Sequence, residues 1–211
     1  MKFEFWKFAF WPSFGLALAW AGSGAALAQA DKPSAPVESQ AGCATPVRAG
    51  ESAKDLSRRF GGDARIEEVD GAEGEKVKAF VLFPEDKARR VEVSFDDNAM
   101  ARATGLRWSG QGSKWHVAGV AVGSDVKAVR AANGAPFSIN GFGWDYGGYA
   151  ANFRAGKLGK LPGGCTVSLR FDHEGKDPPA ALSGDGVHIS SDDAKLAAFA
   201  PVVTEIAINF H

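Results

Sequence analysis

The chain has 211 residues, of which 45% are hydrophobic, with 24 basic and 25 acidic side chains and a formal net charge of −1. A near-neutral chain without a basic block lacks the charge that phosphate neutralisation requires, which argues against nucleic acid as a partner. Two cysteines and four scattered histidines, with no H-x-H or H-E-x-x-H spacing, argue against a metal site, and no cofactor is expected.

The N-terminus reads as a secretory signal over 1–30. Lys2 and Lys7 precede an apolar run over 8–20, and small residues end at Ala28-Gln29-Ala30, an A-x-A cleavage site before Asp31. The run is shorter than the roughly 20 apolar residues of a comfortable membrane span. No span is therefore expected after cleavage, and the mature chain is expected in the periplasm or outside the cell; a retained N-terminal anchor is the alternative. Residues 31–45, rich in Pro, Ser, Ala and Gln, read as a flexible leader. Cys43 follows Gln40-Ala41-Gly42 without an upstream leucine, unlike a lipid-anchor cysteine. In an exported chain Cys43 and Cys165 are expected to form a disulfide, with two separate thiols as the alternative.

Two stretches then echo each other. Residues 47–62 read VRAGESAKDLSRRFGG and residues 120–135 read VAVGSDVKAVRAANGA. Aligned, Val47 meets Val120, Gly50 meets Gly123, Lys54 meets Lys127 and Gly61 meets Gly134. In both, a capping residue (Ser52 or Ser124) precedes a short amphipathic helix that a glycine ends. Alternating segments follow at 91–96 and 167–172, with further strands expected at 76–83, 137–142 and 149–154. A brief capped helix near 190–196 leads to a last strand bearing Val203, Glu205, Ile206, Ile208 and Phe210. The predicted architecture is α+β. It comprises two tandem related units, each a short helical segment packed on an antiparallel sheet, over 46–110 and 111–211, joined as one body.

Between the strands at 137–142 and 149–154 lies GFGWDYGG, residues 141–148, with four glycines around Phe142, Trp144, Asp145 and Tyr146. Hairpin chemistry accounts for the glycines, and Asp145 can bond backbone amides two residues on. Phe142, Trp144 and Tyr146 alternate and can share one face. Facing the helices they are core; facing outward they are an aromatic platform for a partner.

The stretch from Trp108 to Leu158 resembles a family of exported bacterial proteins that share Ser113-Lys114-Trp115, Gly119 with Gly123, Asn133-Gly134-Ala135-Pro136-Phe137 and the octapeptide. That family brings no activity with it. The helix start and the antiparallel sheet are more distantly similar to the tandem helix-plus-sheet modules of the β-lactamase inhibitory protein and of BamE-like lipoproteins. This second resemblance implies a concave sheet used for protein contact, although the chain lacks a lipobox.

No nucleophile signature such as G-x-S-x-G stands in the mature chain, and no catalytic residue is assigned. The acidic stretches at 172–174, 183–186 and 190–193 do not follow the D-x-D-x-D-G calcium pattern and read as solvated loops. The expectation is an exported, non-catalytic protein that binds a periplasmic or envelope protein or another envelope component through Phe142, Trp144, Asp145 and Tyr146. The rival is a glycan-binding or glycan-hydrolysing protein using Asp145 with Trp144 and Tyr146.

Overall fold

The computed structural model describes residues 39–71, 74–153 and 156–211, so the signal peptide expected over 1–30 lies outside the described residues. Within the leader expected over 31–45, Ser39–Gln40 (β1) is an ordered strand, paired in parallel with Trp115 and His116. Ala41 donates to the carbonyl of His116 at 2.8 Å and is itself buried. Any flexible leader therefore ends before Ser39. The reason is covalent as well as local: Cys43 and Cys165 form a disulfide across a separation of 122 residues, with their Cα atoms 5.4 Å apart.

The first helix, α1 (Ala53–Phe60), starts as its sequence dictates. Ser52 and Asp55 form a reciprocal capping box, and Gly61 ends the helix at positive φ. Asp55, bonded by Ser52 and Arg58, is held at a pKa of about 2. Four strands follow in a meander: β2 (Ala64–Asp70), β3 (Lys76–Leu82), β4 (Val91–Phe95) and β5 (Ala103–Ser109). A small hairpin of β6 (Trp115–Val117) and β7 (Val120–Ala121) leads to α2 (Val126–Asn133). The α2 cap is Asp125, which accepts from the Ala128 amide at 2.6 Å. Ser124, expected in that role, instead accepts from the Ala121 amide one turn earlier. Gly134 closes α2 in the left-handed region, as expected.

Beyond α2 lie β8 (Ser138–Asn140), β9 (Ala150–Asn152), β10 (Thr166–Asp172) and β11 (His188–Ser190), then α3 (Ala194–Phe199) and β12 (Val202–Asn209). The protein is α+β, with more strand than helix. Its main sheet has six antiparallel strands in the order β10-β12-β5-β4-β3-β2, beside two three-stranded sheets, β1-β6-β7 and β11-β8-β9. The two halves are thus ordered differently. The first supplies a consecutive meander, whereas the second divides its strands among the main sheet, β11-β8-β9 and the β6-β7 hairpin of the third sheet.

Alternation gives the main sheet two unlike faces. Phe80, Leu82, Val93, Leu106, Trp108, Leu169, Phe171, Ile206 and Ile208 point to one side. There they join Leu56 of α1, Val129 of α2 and Leu196 and Phe199 of α3 in one continuous core. The other side carries Arg170, Glu205, Arg107, Glu92 and Glu67, with a small buried cluster of Val69, Ala79 and Val81.

Candidate functional site: an aromatic ridge over a charged groove

The octapeptide forms the loop between β8 and β9. The Asn140 amide donates to the Tyr149 carbonyl at 2.8 Å and the Gly148 amide donates to the Asn140 carbonyl at 3.1 Å, which closes the loop at its base. Inside it, the amides of Gly141 and Phe142 donate to the carbonyls of Val187 and Leu182. Backbone crowds the Cβ position at three of its glycines, Gly141, Gly147 and Gly148, most closely at the first and last. A Cβ on Gly141 would stand 2.5 Å from the Gly184 carbonyl oxygen, and one on Gly148, at φ +77, 2.1 Å from that of Phe171. Hairpin architecture therefore does explain glycine here, by close approach of backbone as much as by turn conformation.

The aromatics do not share a face. Phe142 is buried, its ring edge-to-face with Phe199 at 5.1 Å, and belongs to the core rather than to any contact surface. Trp144 is half-buried, with its indole N–H donated to the Gly141 carbonyl at 2.7 Å. Tyr146 is 54% exposed, and its ring packs on Trp144 at 5.5 Å in a T-shaped contact. Asp145 is exposed between them, yet it does not build the turn. The Gly147 amide bonds the Trp144 carbonyl at 2.8 Å instead, which leaves the Asp145 carboxylate facing solvent. The loop thus splits the expected site. Trp144, Asp145 and Tyr146 form an exposed ridge, and Phe142 anchors it.

Two depressions flank the ridge. One, of about 440 Å3, lies between Trp144 and the turn bearing His173 and Lys176. The larger, of about 770 Å3, runs along the polar face of the main sheet and is lined by Asp145, Tyr146, Tyr149, Arg107, Arg170 and Glu205 among others. Arg170 borders both.

The larger groove is ordered by ion pairs across neighbouring strands. Arg107 on β5 donates from Nε and Nη2 to Glu92 on β4 at 2.8 and 2.6 Å, and from Nη2 to the Asp70 carbonyl at 2.7 Å. Its Nη1 lies 3.8 Å from Glu205 on β12. The Tyr149 hydroxyl donates to Glu205 at 3.0 Å. Arg170 stacks its guanidinium 5.3 Å from the Tyr149 ring centre and donates from Nε to the Gly147 carbonyl at 3.3 Å. The octapeptide loop is therefore tied directly to the sheet's charges. Burial lowers the Arg107 pKa, but its bonds to Glu92 and the nearby Glu205 outweigh it, so the guanidinium is raised above its ordinary value.

Burial also raises the Tyr149 phenol, and Glu205 adds to the effect by repelling the phenolate and accepting its proton's bond. The chain has two tyrosines, so Tyr146→Phe leaves Tyr149 as the sole phenol. Ultraviolet titration of that variant should show ionisation above the ordinary value of about 10. Adding Glu205→Gln should move the titration back down. A normal titration indifferent to Glu205 would contradict this groove geometry.

Sequence reasoning did not find Arg107, Tyr149, Arg170 and Glu205. The strands expected at 167–172 and at the end of the chain contain Arg170 and Glu205, but the pairing that brings them to Arg107 and Tyr149 is not written in any local pattern. Among the described residues, no group of three His, Cys, Asp or Glu is placed to hold a metal ion. Among the same residues, no helix is long and apolar enough to cross a membrane. Comparison with protein-family models, with the curated proteins and with the solved structures gives no match.

Proposed function

We propose that this is an exported, non-catalytic binding protein of the periplasm or cell exterior, which engages a protein or another envelope component through the Trp144–Tyr146 ridge and the groove beneath it. One observation carries the reading. A tyrosine more than half exposed is held against a tryptophan by a loop whose glycines fix its path. Rigid aromatics at a rim lose little conformational freedom on binding, which is why such residues dominate contact energies. The Cys43–Cys165 disulfide supports the exported setting, since disulfides persist in oxidising compartments. Kinship with tandem helix-plus-sheet contact modules belongs to the same reading.

A second reading draws on the groove. Asp145 and Glu205 line it beside Tyr146 and Tyr149, and carboxylates beside aromatics are what a glycan reader uses to hold sugar hydroxyls and ring faces. Affinity capture separates the two. Immobilised protein should retain a specific component from a solubilised envelope extract, and Trp144→Ala with Tyr146→Ala should weaken retention by about tenfold or more. A protease-sensitive component supports the first reading, and one released by free oligosaccharide supports the second. Retention equal for the native protein and the double variant would remove the ridge from both.

A further inference from the structure

The free edge of the main sheet, at β2, has its own chemistry. Strand β2 is the last strand of the main sheet, hydrogen-bonded only to β3 within it. The register pairs Ala64 with Leu82 and Asp70 with Lys76. The Phe83 amide donates to the Asp63 carbonyl, and the Gly71 amide to the Glu75 carbonyl. These two bonds set the parity. Odd-numbered residues of β2 turn their amides and carbonyls toward β3, so those of Ala64, Ile66, Glu68 and Asp70 turn toward the open edge. Ile66, at the middle of that edge, is 55% exposed. An edge of this length, unpaired among the described residues, is a template for another strand.

The charges on β2 select the partner. We infer that β2 pairs with the β2 strand of a second copy of this chain, antiparallel about a two-fold axis at Ile66. Outward-facing residues must bond outward-facing residues, and the registers that pair at least three residues of β2 centre the axis on Arg65, Ile66, Glu67, Glu68 or Val69. Centring on Arg65, Glu67 or Glu68 sets each of those charges against itself, and centring on Val69 sets Glu68 against Asp70, all of which is destabilising. Centring on Ile66 sets the two isoleucines together and pairs Ala64 with Glu68. It also places Arg65 of each copy opposite Glu67 of the other. Of these two-fold registers it alone sets no like charges opposite each other.

The same register continues an existing chain of charge. Glu92 lies 3.8 Å from Arg90, Arg90 bonds Glu67 at 2.7 Å, and Glu67 accepts from Arg65 at 2.7 Å. Arg65 ends the series, bonding outward to the exposed Glu85. Across the axis, Arg65 gains Glu67 of the second copy and the alternation runs on through it. Asp70 and Gly71, which border the groove, lie beyond the paired segment, so both grooves of the dimer stay open.

Sedimentation equilibrium tests this with the purified protein. The native chain should self-associate to a dimer, and Arg65→Glu or Glu67→Arg alone should each weaken association about tenfold or more, since two attractive pairs become repulsive. An equimolar mixture of the two variants should restore native affinity as a heterodimer, because every facing pair is again of opposite sign. A native protein that stays monomeric into the high micromolar range overturns the inference, as does a dimer indifferent to Arg65→Glu or a mixture that fails to associate. Should Glu67→Arg not fold after losing Arg90, Ile66→Pro gives an independent reading. It deletes an amide that faces away from β3, so circular dichroism should be unchanged and association about tenfold weaker. Unchanged association of that variant also overturns the pairing.

Discussion

Replacing Cys43 and Cys165 by serine is expected to remove about 3–5 kcal/mol of stability. The upper figure follows from loop closure: a cross-link spanning 122 residues restricts the unfolded chain by about 5 kcal/mol on the chain-entropy account. The native state adds a local reason. The segment from Ser39 to Thr45 is held by a two-residue parallel strand, by the Ala41 amide on His116 and by the Gly42–Thr45 bridge. None of these is extensive, so the disulfide is the main tie between this segment and the start of β10. Urea unfolding of the Cys43→Ser, Cys165→Ser variant should show a lower midpoint and a steeper slope, because an uncross-linked unfolded chain exposes more surface. A loss below about 1 kcal/mol would mean that the N-terminal segment is secured by packing alone.

The disulfide was legible from the sequence because a chain expected to be exported and carrying two cysteines leaves few alternatives. Strands β4, β10 and β12 were legible too from their alternating residues, whereas β3, expected over 76–83, does not alternate and buries all of its last four residues. Strand β2 was not legible. As an edge strand it buries only Val69, so Ala64 to Asp70 shows no alternation to read. Strand β5 was hidden by Gly105, which interrupts the apolar pattern. The structure requires that glycine, since a Cβ there would stand 2.7 Å from the Ile208 carbonyl oxygen. The same contact shows why the topology stayed out of reach. Strand β12 lies between β5 and β10, and no local property of residues 202–209 says which strands will flank it.

The octapeptide was legible as a glycine-built turn and misread as a single aromatic face. Alternation assigns Phe142, Trp144 and Tyr146 to one side only if the strand continues, and here it does not. The chain leaves β8 at Asn140 and turns, so Phe142 is drawn into the core against Phe199 while Trp144 and Tyr146 stay at the rim. The bonds of the Gly141 and Phe142 amides to the segment 182–187 drive that turn, and they lie about 40 residues away in sequence.

Gly148→Ala is expected to cost more than about 3 kcal/mol, against about 1–2 kcal/mol for Gly143→Ala. Both glycines have positive φ, +77 and +83, so both substitutions carry the strain of a left-handed alanine. They differ in what surrounds them. The space beside Gly143 is open, whereas a Cβ on Gly148 would meet the Phe171 carbonyl oxygen at 2.1 Å and the Phe142 ring at 3.2 Å. Relief of that overlap must separate the loop from β10. The separation breaks the bond from the Phe171 amide to the Gly148 carbonyl at 2.8 Å and disturbs Arg170 on the Gly147 carbonyl. Chemical denaturation of the two variants measures the difference directly, and equal costs would show that φ alone governs this loop. The comparison also bears on binding. Gly143→Ala leaves the backbone contacts of the loop with β10 in place and should retain the ridge's partner, whereas Gly148→Ala should lose it with Trp144 and Tyr146 unaltered. Loss in that variant would follow from position rather than from chemistry, because the ridge is held over the groove by a backbone contact that admits no side chain.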